Sequence, residues 1–153
     1  MTVWSTFSAS APELAQFAVN RLRQPPAYLA TIRRDGSPRV HPVTPIITDD
    51  SIFVFMEPTS PKLADLVARH HFALHTRVDD IAGSGGEVLL TGSTNRATDP
   101  AIRSRVADLA PYYPADRYEL VELVPTEVKV RGYGDITLPS PMSWKLIADE
   151  RTL

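Results

Sequence analysis

Apolar residues recur at helical spacing near the start of the chain, in SAPELAQFAVNRLRQPP at positions 10–26. Spacings of three and four residues place several of them along one stripe, as expected for a helix that packs against a core. The stripe consists of Leu14, Phe17, Ala18 and Leu22. We predict Ser10 as the N-cap, because its hydroxyl can accept a hydrogen bond from the first turn, and Pro25 and Pro26 as the end.

Most of the remaining apolar residues lie in short runs typical of β-strands. The runs are AYLATIRR (27–34), RVHPVTPIIT (39–48), SIFVFM (51–56), HFALHTRV (71–78), EVLLTGSTNRAT (87–98), YELVELV continuing into TEVKVRGYG (118–134), and SWKLIA (143–148). Six or seven such strands, joined by short turns such as DGSP at 35–38, predict a mainly β fold. We expect an antiparallel β-barrel with flanking helices, and we assign residues 1–153 to a single domain.

Two further helices are predicted between strands, and each begins with a polar residue followed by proline. Ser60 and Pro61 begin the first, and Asp99 and Pro100 begin the second. The residues expected to face the core are Leu63, Leu66 and Val67 in the first helix, and Ile102, Val106 and Leu109 in the second.

Prolines interrupt two of the predicted strands. Proline cannot donate to the hydrogen-bond ladder of a sheet, so Pro42 and Pro45 predict that their strand lies at an edge or carries a bulge. Pro125 predicts a kink in the long strand at 118–134.

Two strands are apolar on both faces, IFVFM at 52–56 and VLLT at 88–91. One face can fill the barrel, and the other must be covered by a helix or by another chain. A homodimer is the simpler way to cover so much apolar surface, so we predict one.

Composition removes several classes of function. The net charge of -2 gives no reason to expect nucleic acid or an anionic membrane as a partner. The chain has no cysteine, which excludes disulfides and thiolate catalysis and fits a reducing compartment. No apolar run approaches the roughly 20 residues of a membrane span, and the N-terminus lacks the basic and apolar regions of a signal peptide. We therefore expect a cytoplasmic location.

Lys62 lies where a cation is unfavourable, in the first turn of the helix that begins at Pro61, because the helix dipole is positive there. A bound anion such as phosphate would explain this position, since free N–H groups attract anions to a helix N-terminus. A solvent-exposed lysine without any ligand is the alternative.

Other polar residues give weaker signals. His71 and His75 are separated by roughly 13 Å along a strand, at about 3.3 Å per residue, which is too far for one metal ion. GSGG at 83–86 lacks the strand–loop–helix setting of a phosphate loop, and no nucleophile elbow is present. We predict no metal site and no catalytic side chain. Tyr112 and Tyr113 belong either to a turn packed on the barrel or to the edge of a ligand pocket.

The order of the elements carries a resemblance to a known family. AYLATIRRDGSPRVHPVTPI (27–46) precedes IFVFMEPTSPKLADLVARHHFALHT (52–76) and EVLLTGSTNRATDPAIR (87–103), and Ser60 and Lys62 form a Ser-x-Lys motif at a helix start. This series resembles the split-barrel family that binds flavin mononucleotide (FMN) and is related to pyridoxamine 5′-phosphate oxidase. The similarity covers about residues 27–103 and the closing SWKLIA.

The resemblance implies a homodimer with FMN in grooves between the subunits. By the same resemblance, Ser60 and Lys62 fall where the family holds the flavin phosphate, and Glu87 falls where a polar residue reaches the cofactor. The residues that fall beside the isoalloxazine ring are His41, Pro42, Val43, Thr44, Phe55 and Met56.

Several positions depart from the family pattern. Pro61 replaces a basic residue, and His41 stands where an arginine often binds phosphate; Arg33 and Arg39 are candidate replacements for the missing charge. A deazaflavin is therefore the alternative cofactor. The Arg-x-His segment with which the oxidase binds its vitamin substrate is absent, so that activity is not predicted.

Two classes of function remain open. The first is an FMN-dependent oxidoreductase that acts on an unidentified small molecule, in which the flavin carries hydride or electrons and no protein acid or base is obligatory. The second is a non-catalytic protein that binds or carries flavin, deazaflavin or haem.

Overall fold

The computed structural model describes residues 1–147, and this range contains four helices and eight strands. The helices are α1 (Val3–Ser10), α2 (Pro12–Leu22), α3 (Pro61–Arg69) and α4 (Pro100–Leu109). The strands are β1 (Ala27–Ile32), β2 (Pro38–Val43), β3 (Ile46–Ile47), β4 (Ile52–Met56), β5 (His71–His75), β6 (Glu87–Arg96), β7 (Glu119–Arg131) and β8 (Ser143–Lys145). Ala148, which ends the predicted strand SWKLIA, lies outside the described residues.

These strands form one curled antiparallel sheet in the order β2-β1-β5-β6-β7-β4-β3, with β8 paired to β7. The predicted mainly β architecture with flanking helices is confirmed. β2 lies at the edge that its prolines predicted, and β3 lies at the other end of the strand order. Thr44 and Pro45 join these two ends, which are not paired with each other. An opening therefore remains in the barrel wall beside this link.

The N-terminal helices fill the concave side of the sheet. Trp4 and Phe7 of α1 and Leu14 and Leu22 of α2 are buried in one cluster with the inward-facing residues of the strands. Because a curled sheet buries only its inner row of side chains, these helices supply the second layer of the core.

The start of the chain differs from the prediction. Residues before Ser10 form α1, which begins with a capping box between Thr2 and Ser5. Ser10 does not cap the next helix, because its hydroxyl donates to the carbonyl oxygen of Thr6 at 2.9 Å and Ala11 occupies the N-cap position without a side-chain hydrogen bond. The prediction of Ser10 as N-cap was wrong for this reason.

At Pro125, where a kink was predicted, β7 continues unbroken from Glu119 to Arg131, but its pairing with β6 is irregular. The pairing register shifts between Thr91 and Gly92, and Gly92 is paired with Pro125. A Cβ atom at Gly92 would lie 2.0 Å from the carbonyl oxygen of Val124. The two backbones can approach this closely only because position 92 has no side chain.

α4 covers the outer face of β4. Phe53 and Phe55 point away from the main core and form a second cluster with Val106 of α4 and Leu120 of β7. Both faces of β4 are therefore buried within one chain, so this strand does not need a second subunit to cover it.

Helix burial agrees with the predicted faces only in part. Leu63, Leu66 and Val106 are buried, whereas Val67 is 43% exposed and Leu109 is 54% exposed, contrary to the prediction. The buried apolar stripe of α3 is narrow because the position beside Leu66 is taken by a buried carboxylate, Asp65. Asp65 is bonded to Thr31 of β1 and Arg39 of β2. No helix within residues 1–147 is long and apolar enough to cross a membrane.

Candidate functional site

A cavity of about 370 Å³ lies at the opening where β2 leaves the sheet. It is bounded by the end of β2, the end of β4, the first turn of α3 and the segment between α4 and β7. The lining residues are Pro26, Pro42, Val43, Thr44, Val54, Phe55, Met56, Glu57, Lys62, Tyr112 and Tyr118. This combination of an apolar floor with a few polar groups is typical of a small-molecule site.

Lys62 provides the cavity's unpaired positive charge. Its Nζ donates a hydrogen bond to Ser60 Oγ at 3.0 Å, and burial lowers the pKa of the Lys62 ammonium. The other two lysines of the chain, Lys129 and Lys145, both pair with Glu127, but no acidic side chain within residues 1–147 pairs with Lys62. A half-buried cation without a counter-ion favours an anionic ligand at this position.

Ser60 occupies the N-cap position of α3, but its side chain does not cap the helix. Its backbone carbonyl accepts the first helical hydrogen bonds, from Leu63 and Ala64, while its hydroxyl is turned toward Lys62. The first N–H groups of a helix have no partner within the helix. Ser60 and Lys62 therefore present a hydroxyl and an ammonium at the positive end of the α3 dipole.

The carboxylate in the same cavity is already neutralised. Glu57 forms a two-pronged ion pair with Arg117, whose Nε donates to Oε2 at 2.9 Å. The hydrogen bond from Arg117 holds the pKa of Glu57 below its ordinary value. The positive charge of Arg117 offsets the negative charge of Glu57. Glu57 therefore repels an anion beside Lys62 less than an unpaired carboxylate would.

The opposite wall of the cavity comes from the segment between α4 and β7. Arg103 holds this segment by donating to the carbonyl oxygens of Ala115, Asp116 and Tyr118, and its guanidinium stacks over the ring of Phe55. Tyr112 lines the cavity, and burial, with a smaller effect of Tyr118, raises its pKa. Of the two alternatives for the PYYP stretch, Tyr112 thus edges a pocket, whereas Tyr113 is fully exposed.

The structure brings together most of the predicted site residues. Ser60 does not line the cavity itself, but its hydroxyl accepts a hydrogen bond from Lys62, which does. The predicted residues that line the cavity are Pro42, Val43, Thr44, Phe55, Met56 and Lys62. His41 lies on β2, where it is paired with Leu29 of β1, and it does not line the cavity. Glu87 begins β6, with its Oε2 3.6 Å from His75 Nε2, and is also outside the cavity. That each of these predicted site residues contacts a cofactor stays a prediction.

The two arginines considered as replacements for the missing basic residue do not line the cavity. Arg39 donates to Asp65 Oδ2 at 2.8 Å, beside a 2.7 Å hydrogen bond from Thr31. Burial by itself would raise the pKa of Asp65, but the hydrogen bonds from Arg39 and Thr31 hold it below its ordinary value. Arg39 is therefore engaged in holding α3 on the sheet, and Arg33 is exposed near the β1–β2 turn.

Four lining residues had no functional prediction from the sequence: Pro26, Val54, Glu57 and Tyr118. Glu57 stands five residues before Lys62, so its proximity to a phosphate-type motif was a usable signal. Tyr118 lies in the segment that Arg103 holds by a hydrogen bond to the Tyr118 carbonyl oxygen, and no local sequence pattern predicts that long-range contact. Within residues 1–147, no three His, Asp or Glu side chains come together as metal ligands.

Comparison with known proteins gives structural likeness only. No family model and no curated protein matches the chain. A heme-binding protein from Mycobacterium smegmatis superposes with a TM-score of 0.67 at 18% identity, over 87% of this chain and 57% of that protein. A candidate pyridoxamine 5′-phosphate oxidase from Listeria innocua superposes with a TM-score of 0.63 at 14% identity, over 75% and 95% of the two chains.

A NimC/NimA family protein from Clostridium acetobutylicum is a third similar structure, with a TM-score of 0.64 at 16% identity over 76% of this chain and 86% of that one. These identities are low enough that the likeness speaks for the fold alone. The resemblance predicted from the strand order is confirmed at that level. The protein therefore has the split β-barrel fold of the proteins that resemble pyridoxamine 5′-phosphate oxidase.

Proposed function

We propose that this protein binds FMN in the cavity described above and acts as an oxidoreductase on a small organic molecule. The observation that carries the proposal is Lys62, a half-buried ammonium whose only hydrogen-bond partner within residues 1–147 is Ser60 Oγ. A phosphate at this position would accept hydrogen bonds from the Lys62 ammonium, from Ser60 Oγ and from the backbone N–H of Lys62, because Pro61 has no N–H and the N–H of Leu63 already donates to the Ser60 carbonyl oxygen. The helix dipole would also favour it.

The rest of the cavity suits a flat ring system attached to that phosphate. Val43, Val54, Phe55 and Met56 form an apolar floor, and Tyr112 lies on the facing wall. FMN combines an aromatic ring system with a phosphate at its other end, which matches an apolar floor that ends in a cation. A deazaflavin with a phosphate-containing side chain carries the same two features and is the alternative ligand.

In this proposal the chain's own residues bind and orient, and the bound flavin supplies the hydride or electron chemistry. Lys62 and Ser60 hold the phosphate, and the apolar floor excludes water from one face of the ring. Arg117 offsets the negative charge of Glu57 at the edge of the cavity. No side chain of the cavity has to transfer a proton.

We also propose that the functional unit is a homodimer. Tyr28, Val40 and Leu89 are 44%, 61% and 36% exposed and lie on the outer face of the sheet. Since α4 already covers β4, this outer face of β1, β2, β5 and β6 is the apolar surface that supports a second copy. A stable interface there should bury well over about 2,000 Å² in total.

The proposal is tested by titrating the purified protein, freed of bound compounds, with FMN and with riboflavin. FMN should bind at least roughly tenfold more tightly, the scale of one charge-assisted hydrogen bond. A reduced nicotinamide should then transfer hydride to the bound flavin, and dissolved oxygen as electron acceptor should reoxidise it, so that more nicotinamide is consumed than protein is present. Equal affinity for both flavins would contradict the phosphate site.

Tight binding without turnover would instead support the non-catalytic alternative. Haem belongs to that test, because one structurally similar protein is a heme-binding protein. A Soret band on addition of haemin, with no flavin binding at micromolar concentration, would replace the FMN proposal by haem binding.

A further inference from the structure

A second cavity, of about 400 Å³, adjoins the first. Both cavities are lined by the same three segments: Pro25 and Pro26 after α2, the link at Thr44, and Pro111 and Tyr112 after α4. Thr44 lines both of them. A molecule in the second cavity would therefore be a direct neighbour of whatever occupies the first.

The walls of this second cavity are apolar. Leu22, Ile46 and Ile47 are buried residues that form its floor, and Leu109, which is 54% exposed, lies at its mouth. The exposure of Leu109, which contradicted its predicted role in the core, is explained by this position. Prolines at 25, 45 and 111 complete the wall, and they offer no N–H donors to a ligand.

Only two lining side chains are polar, Arg23 and Thr44. Within residues 1–147 the Arg23 guanidinium has no ion pair, and the Thr44 hydroxyl has no hydrogen-bond partner. Asp49 lines a third, adjacent cavity together with Arg23, but the two side chains do not form an ion pair. The second cavity thus combines a large apolar wall with one solvent-exposed guanidinium that is free to bind an anion.

We propose that this second cavity binds an amphipathic organic carboxylate. Its apolar body would lie on Ile46, Ile47 and Leu109, and its carboxylate would accept two parallel hydrogen bonds from Arg23. The volume lies within the usual range of small-molecule sites, about 300–1,000 Å³. That this carboxylate is the substrate of the neighbouring flavin rests on the function proposed above.

A carboxylate fits this cavity better than a phosphate does. A phosphate ester presents more acceptor oxygens and more charge than one guanidinium and one hydroxyl can satisfy, and the prolines add no backbone donors. One Arg fork matches the two oxygens of one carboxylate, so the remaining surface can stay apolar without leaving a polar ligand atom unpaired.

The test uses 2-naphthoate as the probe and 2-naphthamide as its uncharged counterpart, titrated into the full chain by calorimetry. Wild type should bind the carboxylate roughly tenfold or more tightly than the amide, and Arg23→Gln should remove that preference, as expected for a charged hydrogen bond. Arg33→Gln removes the same charge at an exposed site outside the cavity and should leave both affinities unchanged.

Leu109→Ser tests the apolar half of the site without threatening the core, because Leu109 is largely exposed. It should weaken the binding of both probes by roughly three- to tenfold, the scale of one lost apolar contact. Equal binding of the two probes by wild type, or a full carboxylate preference in Arg23→Gln, would overturn the proposal.

Lys62→Ala separates this inference from the FMN proposal. Lys62 lines only the first cavity, so this variant should bind 2-naphthoate as wild type does, whether or not FMN binds. If Lys62→Ala lost naphthoate binding, the probe would lie in the first cavity and the second-cavity proposal would fail. If naphthoate bound as expected but wild type bound no flavin, the carboxylate site would stand and only its assignment to a flavin substrate would fall.

Discussion

Replacing Lys62 by alanine is the sharpest test of the phosphate position. The change removes an ammonium that has no acidic partner within residues 1–147, and it leaves Ser60, the backbone N–H of residue 62 and the apolar floor in place. We therefore expect weaker binding of FMN, but little change in the binding of riboflavin, which has the same ring system and no phosphate.

The size of the effect follows from the setting of Lys62. Two unit charges 4 Å apart attract by about 4 kcal/mol at an effective dielectric constant of about 20. Lys62 is only half buried, so solvent screening reduces this value, and part of what remains offsets the desolvation of the phosphate. A net loss of roughly 1.5–3 kcal/mol is expected, the range of a charge-assisted hydrogen bond. It corresponds to a roughly 10- to 150-fold rise in Kd.

The assay is quenching of flavin fluorescence during titration, with Lys145→Ala as the matched control. Lys145 is the most exposed of the three lysines and does not line the cavity, so its loss should leave the Kd for FMN unchanged. If Lys62→Ala bound FMN as tightly as wild type, the phosphate would lie elsewhere and the reasoning from the helix start would be refuted.

The same variant has an expected effect on the empty protein. Burial lowers the pKa of Lys62, so the unfolded chain holds this proton more tightly than the folded one does. The charged lysine therefore disfavours folding near neutral pH, and its contribution to the free energy of unfolding rises with pH in the alkaline range. Lys62→Ala should unfold at the same urea concentration as wild type or a slightly higher one, because a cation leaves the positive end of α3.

Further predictions concern stability, pH and assembly. Asp65→Asn should lower the free energy of unfolding by roughly 2–3 kcal/mol, because it leaves Arg39 without its carboxylate; exposed Asp108→Asn is the control in urea titrations. The pKa of Asp65 is lowered on folding, so its stabilisation is present above the ordinary carboxyl pKa and is lost as pH falls through the folded pKa. As pH falls, the free energy of unfolding should therefore decrease more in wild type than in Asp65→Asn. An equal decrease in the two proteins would disprove this. Gly92→Ala should cost roughly 2–4 kcal/mol or prevent folding, since its Cβ would lie 2.0 Å from a carbonyl oxygen; a thermal midpoint equal to wild type would contradict it. Binding of FMN, but not of riboflavin, should weaken as pH rises through the lowered pKa of Lys62, and FMN affinity that stays flat until the protein unfolds in alkali would argue against that lysine. Leu89→Lys should yield folded monomers in sedimentation experiments if the outer sheet face is the dimer interface, and an unchanged dimer would exclude that face.

Local patterns in the sequence determined most of the secondary structure. α3 and α4 begin at the predicted prolines, Pro61 and Pro100. Proline suits the first helical position because its backbone angle is already helical and the N–H group that it lacks would have no partner within the helix. Asp99 caps α4 through its carboxylate, as predicted. The edge position of β2 and the irregular pairing beside Pro125 also follow from one local fact, the missing N–H of proline.

The misplaced charge of Lys62 was also visible in the sequence, because the helix dipole depends only on where the helix begins. The sequence could not show that Lys62 lacks a carboxylate partner. That required the positions of every acidic side chain, including Glu57, which Arg117 holds from sixty positions away along the chain.

Only the tertiary structure decided how these elements form cavities. The opening exists because β2 and β3 lie at opposite ends of the strand order while Thr44 and Pro45 keep them adjacent in the chain. Arg39 is bound to Asp65 of another element, and Leu109 faces a cavity instead of the core, although its spacing on α4 matched that of Val106. Periodicity reports which face of a helix is apolar, but whether that face meets packed side chains or empty space depends on contacts between residues distant in sequence, which no local pattern encodes.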